Sequence, residues 1–165
     1  MSDTSMDQLV HIAGTVARRL TDLGATLATA ESCTGGLIGH VLTEISGSST
    51  WYVGGAIVYS DALKQQLAGV PATLILTHGA VSEEVAGALA EGARSRFGTR
   101  FGVAVTGIAG PNGGTDTKPV GLVYVAVAGA AGTVVERHLW TGDRSANKRD
   151  SAHAALRLLL DVAGR

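Results

Sequence analysis

Residues 25–45, ATLATAESCTGGLIGHVLTEI, pass from one apolar pattern to another through a short polar turn. The first six residues, ATLATA, are small or β-branched, as in a short buried strand. After the turn, apolar side chains recur at helical spacing, from Leu37 through Val41 to Ile45. Between these segments, residues 31–36 place an acid, two hydroxyls, a thiol and two glycines. A strand that leads through a turn into a helix is the building unit of α/β folds, and we predict that class.

The remaining pattern predicts a single layered α/β/α domain over residues 1–165, with a mixed and mainly parallel sheet. Helical spacing predicts helices at residues 5–23, 35–45, 61–67, 83–97 and 145–162. Apolar runs between turn residues predict strands at residues 25–30, 51–59, 101–105, 120–128 and 133–140, and a brief strand at 79–82. The glycine-rich link GAAG makes the last two long strands a hairpin.

The composition narrows the class of partner. The 165 residues carry a formal charge of −1, and 45% of them are hydrophobic. Because no block of basic residues occurs, we expect neither nucleic acid nor a membrane as a partner. The single cysteine, Cys33, excludes an internal disulfide, and the acidic start MSDTSMDQLV does not resemble a secretion signal. We expect a cytoplasmic protein, and helix surfaces rich in glycine and alanine are compatible with a homodimer.

Three polar loops follow the ends of predicted strands: ESCTGG, YSDALK and TGIAGPNGG. Ligands of α/β sheets bind outside the carboxyl ends of the strands, so parallel neighbours would bring these loops together. In the first loop, Ser32 is a candidate nucleophile. The amides at the helix start, those of Thr34, Gly35 and Gly36, would favour an anion or a developing oxyanion. The alternative is that Ser32 or Thr34 only caps the helix.

A serine nucleophile needs a base, and the second loop offers Lys64, with Tyr59 to relay the proton or orient the amine. Lysine has a pKa of about 10.4, so Lys64 must be desolvated or lie near other cations to act near neutral pH. The alternative is a solvated lysine beside a strand-end tyrosine. The third loop contains Thr106, Gly107 and Gly110; such loops often wrap phosphate or ribose, although this one matches no standard nucleotide motif.

Arg144 precedes the last helix, where it is placed either to bind a phosphate or to pair with a surface carboxylate. Ser145-Ala-Asn-Lys148 spells S-x-x-K, an acylation motif of penicillin-recognising enzymes. No K-T-G follows and the chain is short for that fold, so we expect Ser145 to cap the helix instead. The five histidines form no metal-binding pattern with one another or with Cys33, and no metal site is expected.

Read together, the ordered motifs resemble the CinA C-terminal domain family, and in particular its stand-alone (PncC-like) nicotinamide-nucleotide amidases. The motifs, over about residues 30–144, are ESCTGGLIG, GSSTWYVGGAIVYS, ALKQQLAGV, GAVSEEVA, AVTGIAGPNGG, KPVGLVYVAVA and TGDR. The resemblance implies hydrolysis of the small molecule nicotinamide mononucleotide to nicotinic acid mononucleotide and ammonia, without a cofactor. It also implies that Ser32 is the nucleophile and that Lys64 acts with it. Tyr59 would lie near this pair, and Thr106 in the same pocket.

Two positions depart from the family pattern. Asp61 stands where asparagine is usual; its charge would either hold Lys64 protonated or simply replace the hydrogen bonds of the amide oxygen. Asn147 stands where we expect an aliphatic residue. Two alternatives therefore stay open: a serine amidase acting on another carboxamide, and a nucleotide-binding module with little or no turnover. Retention of the four site residues that the resemblance implies favours an enzyme.

Overall fold

The computed structural model describes residues 4–164, which form a five-stranded sheet and six α-helices. The helices are α1 (Met6–Leu23), α2 (Leu37–Thr43), α3 (Asp61–Ala68), α4 (Ala72–His78), α5 (Glu83–Phe97) and α6 (Arg144–Ala163). The strands are β1 (Leu27–Glu31), β2 (Tyr52–Ile57), β3 (Phe101–Gly107), β4 (Leu122–Gly129) and β5 (Gly132–Leu139). None of these helices has both the length and the apolar character needed to cross a membrane.

The sheet is mixed, as predicted, with the strand order β2-β1-β3-β4-β5. β1 pairs in parallel with both β2 and β3, whereas β4 is antiparallel to β3 and to β5. Two of the four pairings among the described residues are parallel and two are antiparallel, so the parallel direction does not predominate, because β4 pairs antiparallel with β3 as well as with its hairpin partner β5. The carboxyl ends of β1, β2 and β3 lie at one edge of the sheet. The three polar loops therefore meet there, as the sequence predicts.

The two faces of the sheet bury side chains of different size. Along β1, Leu27 packs in the cluster that contains α1, α2 and α6, whereas its neighbour Ala28 packs against α5 on the opposite face. The face toward α5 is lined with alanine and lets that helix approach closely. A Cβ atom on Gly102 of β3 would lie only 2.1 Å from the carbonyl oxygen of Ala90 in α5. The result is the three-layer α/β/α arrangement expected from the sequence.

Side chains just before α5 and α6 cap these helices. The hydroxyl of Ser82 accepts from the N–H of Val85 at the start of α5. At the start of α6, the Asp143 side chain accepts from the N–H of Ala146 at 2.8 Å. The prediction that Ser145 caps this helix is therefore wrong, because the better acceptor lies two residues earlier and leaves Ser145 exposed.

Two local predictions are wrong between residues 70 and 82. Residues Ala72–His78 form α4, which the sequence does not predict because its apolar residues are consecutive and form no helical stripe. None of the residues of α4 is buried, and Leu76 is 88% exposed. Residues 79–82 form bends instead of a strand. There the carbonyl oxygen of Ala80 accepts from the hydroxyl of Thr106 at 2.8 Å, so a side chain takes the place of a sheet partner.

Candidate active site

A cavity of about 240 Å³ lies at the carboxyl edge of β1, β2 and β3. Its walls come from the three polar loops, from the segment before α5 and from the start of α6. Most of the predicted site residues line it: Ser32, Tyr59, Lys64, Thr106, Gly107, Gly110 and Arg144. Cys33 and Asp61 also line the cavity, as do residues 80–81 and 108–109, which the sequence analysis does not single out. Within residues 4–164, no three metal-ligating side chains are grouped to hold an ion.

The first polar turn is organised by Glu31, a buried residue at the last position of β1. Its Oε2 accepts from the hydroxyl of Thr34 at 2.6 Å, and from the N–H groups of Gly36 and Ile38 at 3.0 and 3.1 Å. Its Oε1 accepts from the N–H of Gly39 at 2.8 Å. The Glu31 carboxylate therefore caps α2 from within the preceding strand, where it also faces the positive end of the helix dipole.

These hydrogen bonds correct two expectations for the turn. The N–H of Gly36 donates to Glu31, and the N–H of Gly35 donates to the carbonyl oxygen of Ser32 at 3.1 Å, so neither is available to an oxyanion. Together with Thr34, these glycines lie outside the residues that line the cavity. The alternative that Ser32 or Thr34 caps the helix is also wrong, because Glu31 is the acceptor. The sequence pattern does not reveal this role, because Glu31 stands one residue beyond the predicted strand, in the turn.

Ser32 and Cys33 are adjacent candidates for the nucleophile. The N–H of Ser32 donates to the carbonyl oxygen of Val105 at 3.0 Å, which fixes the start of the turn against β3. Burial raises the pKa of Cys33 to about 12, so its thiolate is not available near neutral pH. Of the two, Ser32 is therefore the candidate nucleophile.

Lys64 is the buried cationic side chain of the site, with only 2% of its surface exposed. Its Nζ donates to the carbonyl oxygens of Val58 and Tyr59, at 3.0 and 3.1 Å. Asp61 Oδ1 lies 3.8 Å from the same nitrogen. Burial lowers the pKa of Lys64 below its usual range, while the charge of Asp61 acts in the opposite direction. The alternative of a solvated surface lysine is therefore wrong.

Tyr59 and Arg144 form the rim of the cavity. Tyr59 is 60% exposed, and its hydroxyl accepts from Arg144 Nη2 at 3.2 Å. Arg144 Nη1 donates to the carbonyl oxygen of Gly110 at 2.7 Å. No carboxylate in the described part of the chain forms an ion pair with Arg144. Tyr59 thus contacts Lys64 through its backbone carbonyl and Arg144 through its hydroxyl.

The third loop contributes mainly backbone to the cavity wall. The buried side chain of Thr106 ties the end of β3 to Ala80, in the segment before α5. A Cβ atom on Gly107 would lie 2.5 Å from Val123 Cγ2, so the close approach of β4 requires glycine there. Gly110 has a φ of 89°, in the region that favours glycine. Both glycines are therefore explained by the backbone, and their presence does not by itself identify a phosphate loop.

Relatives of known name match most of this chain. A CinA-like protein of Anaeromyxobacter dehalogenans (strain 2CP-C) is 50% identical over 144 residues, which are 87% of this chain and 35% of that protein. A CinA-like protein of Acidobacterium capsulatum is 56% identical over 133 residues, 81% of this chain and 32% of that protein. The chain thus spans about a third of the length of these curated relatives.

Solved structures share the fold along nearly the whole chain. The competence/damage inducible protein CihA from Agrobacterium tumefaciens has a TM-score of 0.92 at 36% identity, covering 100% of this chain and 99% of that one. The competence damage-inducible protein A (ComA) from Klebsiella pneumoniae has a TM-score of 0.91 at 31% identity, with 95% and 98% covered. Residues 9–163 match the family described as the CinA C-terminal domain. The chain therefore belongs to the CinA C-terminal domain family.

Proposed function

We propose that this chain is a nicotinamide-nucleotide amidase, a hydrolase that converts nicotinamide mononucleotide to nicotinic acid mononucleotide and ammonia for NAD recycling. The observation that carries the proposal is that a serine, Ser32, and a buried amine of lowered pKa, Lys64, line one cavity. Serine with a lysine base is one of the arrangements used for acyl transfer. The choice of substrate rests on the resemblance of the loop motifs to nicotinamide-nucleotide amidases.

The contacts of Lys64 suit an unprotonated amine. Such an amine has two N–H donors and one lone pair. The two donors match the carbonyl oxygens of Val58 and Tyr59, which hold Nζ in place. In the proposed mechanism the remaining position on the nitrogen holds the lone pair, which accepts the proton of Ser32. In the ammonium form that position holds a third N–H, and Asp61 Oδ1 lies 3.8 Å from the nitrogen. A base that is oriented before the substrate binds needs little reorganisation during the reaction.

In the proposed acylation step, Ser32 Oγ attacks the carboxamide carbon and its proton passes to Lys64. The oxyanion is bound by the N–H group of Cys33, which lines the cavity and donates to no other residue within the described chain. The C–N bond then breaks, and the leaving nitrogen takes the proton from Lys64 and departs as ammonia. Water attacks the resulting nicotinoyl-serine ester with Lys64 as the base, which releases nicotinic acid mononucleotide and restores the serine.

Arg144 is the proposed partner of the substrate phosphate. Its guanidinium lines the cavity, lies at the rim and forms no ion pair with a described carboxylate. The planar array of donors matches the oxygens of a phosphate group. The hydroxyl of Tyr59 and the carbonyl of Gly110 hold the guanidinium in this orientation. The carboxamide would then lie deeper in the cavity, beside Ser32.

A binding module with little turnover is the second candidate, and Asp61 is the observation that favours it. Its carboxylate, 3.8 Å from Lys64 Nζ, stabilises the ammonium form and so opposes the effect of burial on the pKa. If the ammonium form predominates, the site binds the nucleotide but lacks a base.

Ammonia release from nicotinamide mononucleotide, with the product identified by chromatography, tests the proposal on three proteins. These are the native chain, Ser32→Ala and Ser145→Ala. We expect the native chain and Ser145→Ala to react at similar rates, because Ser145 is an exposed residue that does not line the cavity. Ser32→Ala should lose about three orders of magnitude or more in kcat, since it removes the nucleophile.

Circular dichroism establishes that each variant is folded. Equal activity of the native chain and Ser32→Ala would sink the Ser32 mechanism. If no protein releases ammonia but calorimetry detects binding of nicotinamide mononucleotide, the binding module becomes the better conclusion. If other carboxamides release ammonia and this one does not, the site is that of a different serine amidase.

A further inference from the structure

Asn147 joins two segments of the candidate site from inside α6. Its side chain is buried, with 1% of the residue surface exposed. Its Oδ1 accepts from the N–H of Gly142 at 3.0 Å, and its Nδ2 donates to the carbonyl oxygen of Ala109 at 3.0 Å. Gly142 belongs to the turn before α6, and Ala109 lines the cavity in the loop after β3. One amide therefore links the start of α6 to the cavity wall.

This link lies beside the contacts of Arg144. Arg144 is the first residue of α6, between the Gly142 turn and Asn147, and its guanidinium donates to the carbonyl oxygen of Gly110, the residue after Ala109. The Asn147 side chain and the Arg144 guanidinium thus form two neighbouring hydrogen-bonded links between α6 and the loop after β3. The link through Asn147 is buried, and the link through Arg144 lies at the rim of the cavity.

The amide of Asn147 provides hydrogen-bond partners for two backbone groups, which an aliphatic residue would leave unpaired. Asparagine is not a strong helix former, and a buried polar side chain is stable only when its donors and acceptors are paired. With leucine at this position, the N–H of Gly142 and the carbonyl of Ala109 would both lose their partners. Gly142 packs closely against the first turn of α6, since a Cβ atom on Gly142 would lie 2.7 Å from Ala146 Cβ.

We propose that Asn147 is a positioning residue, which holds Arg144 at the cavity rim and so makes the site selective for carboxamides that carry a phosphate group. The inference rests on the proposed amidase function. Asn147 does not line the cavity and acts on the substrate only through Arg144.

The test compares nicotinamide mononucleotide with nicotinamide riboside, which lacks the phosphate, as substrates of Asn147→Leu and Asn147→Asp. The quantity measured is the ratio of kcat/KM for the two substrates. We expect this ratio to fall about tenfold in each variant, as for a misplaced charge-assisted contact. Aspartate keeps the acceptor for Gly142 but turns a carboxylate oxygen toward the carbonyl of Ala109, so it remains informative if Asn147→Leu does not fold.

Two further proteins sharpen the result. Arg144→Ala should lower the same ratio. Adding Asn147→Leu to Arg144→Ala should lower the ratio no further, because both changes remove the same contact, that of Arg144 with the substrate phosphate. Ser145→Ala, between the two positions, should leave the ratio at its native value. A general structural role of Asn147 would lower both rates equally, and an unchanged ratio overturns the inference.

A failure of the proposed function is distinguishable from a failure of this inference. If the native chain releases ammonia from neither substrate, the amidase proposal has failed. The dissociation constants of the same two molecules, measured by calorimetry, then replace kcat/KM. The inference predicts that Asn147→Leu lowers the ratio of the dissociation constant of nicotinamide riboside to that of nicotinamide mononucleotide about tenfold. The same ratio in both proteins, or no binding of either molecule, overturns the inference.

Discussion

In the proposed mechanism Lys64 takes a proton from Ser32 only while its own amine is unprotonated, so the pKa of Lys64 would set the pH range of the reaction. Burial lowers that pKa, and the charge of Asp61 raises it. The Asp61 side chain is more than half exposed, so solvent and dissolved salt weaken the effect of its charge on the buried amine.

Asp61→Asn should therefore extend catalysis to lower pH. The substitution removes the charge that stabilises the ammonium, so the pKa of Lys64 falls further and the amine stays unprotonated to a lower pH. We expect the acidic limb of the kcat–pH profile to move to lower pH. At high pH, where the amine is unprotonated in both proteins, the two rates should converge. The measurement is kcat for ammonia release across the acidic limb.

Asp22→Asn is the matched control, because Asp22 is an exposed acid in α1 that does not line the cavity. It should leave the limb in place. High salt should bring the native limb toward that of Asp61→Asn, since salt screens exposed charges. An acidic limb that stays in place or rises in Asp61→Asn would contradict Lys64 as the base.

The residue scale also shows what the sequence can predict of the site. Ser32, Lys64 and Arg144 were predictable, because they stand in loops that follow parallel strands or begin a helix. The lowered pKa of Lys64 was not, since it depends on how deeply α3 buries the side chain. The amides of Gly35 and Gly36 were misassigned as free donors, because the acceptor of each N–H depends on which residue ends β1.

At the scale of the elements, the first polar turn depends on one side chain in β1. The two carboxyl oxygens of Glu31 accept four hydrogen bonds from the turn and from α2. All four contacts need acceptors, which an ionised carboxylate supplies. The sequence does not reveal this arrangement. Glu31 is the one acidic residue of β1 and stands at its end, and acidic residues are common in turns, so its position indicates a turn residue.

Glu31→Gln should destabilise the protein and slow the reaction. The NH₂ group of glutamine would face N–H donors that it cannot accept, and burial prevents water from replacing the lost acceptor. We expect the free energy of unfolding to fall by about 2 kcal/mol or more. The displaced turn should also lower kcat, because Ser32 follows Glu31 directly. Urea unfolding and ammonia release measure the two effects.

Glu44→Gln is the control at the other end of α2. Glu44 is exposed at the C-cap, where a negative charge gains nothing from the helix dipole. Its replacement should change the free energy of unfolding by no more than about 0.5 kcal/mol. If Glu31→Gln is as stable as Glu44→Gln, the carboxylate does not organise the turn.

At the scale of the whole molecule, the layers and the meeting of the loops were predictable because they follow from the order of the elements. Alternating strands and helices imply parallel neighbours, and a late hairpin implies antiparallel pairs. The packing of one layer on another was not predictable, since it depends on single contacts between distant residues. The contact of α5 with the end of α3 is such a case: a Cβ atom on Gly92 would lie 1.8 Å from the carbonyl oxygen of Ala68.

Substituting glycine by alanine in two helices tests this contact, because the same change should have opposite effects. Gly14 lies in α1, and a Cβ atom there would meet only ordinary contacts, 3.8 Å from Arg18 and 3.9 Å from Ile45. Gly14→Ala should raise the free energy of unfolding by about 0.5–1 kcal/mol, the helix preference of alanine over glycine. Gly92→Ala should lower it by about 1–3 kcal/mol, because the methyl group forces α3 away from α5. Ala68 lies one turn after Lys64, so Gly92→Ala should also reduce kcat, whereas Gly14→Ala should not. Equal stabilisation of both variants in urea unfolding would show that α5 does not set the position of the base.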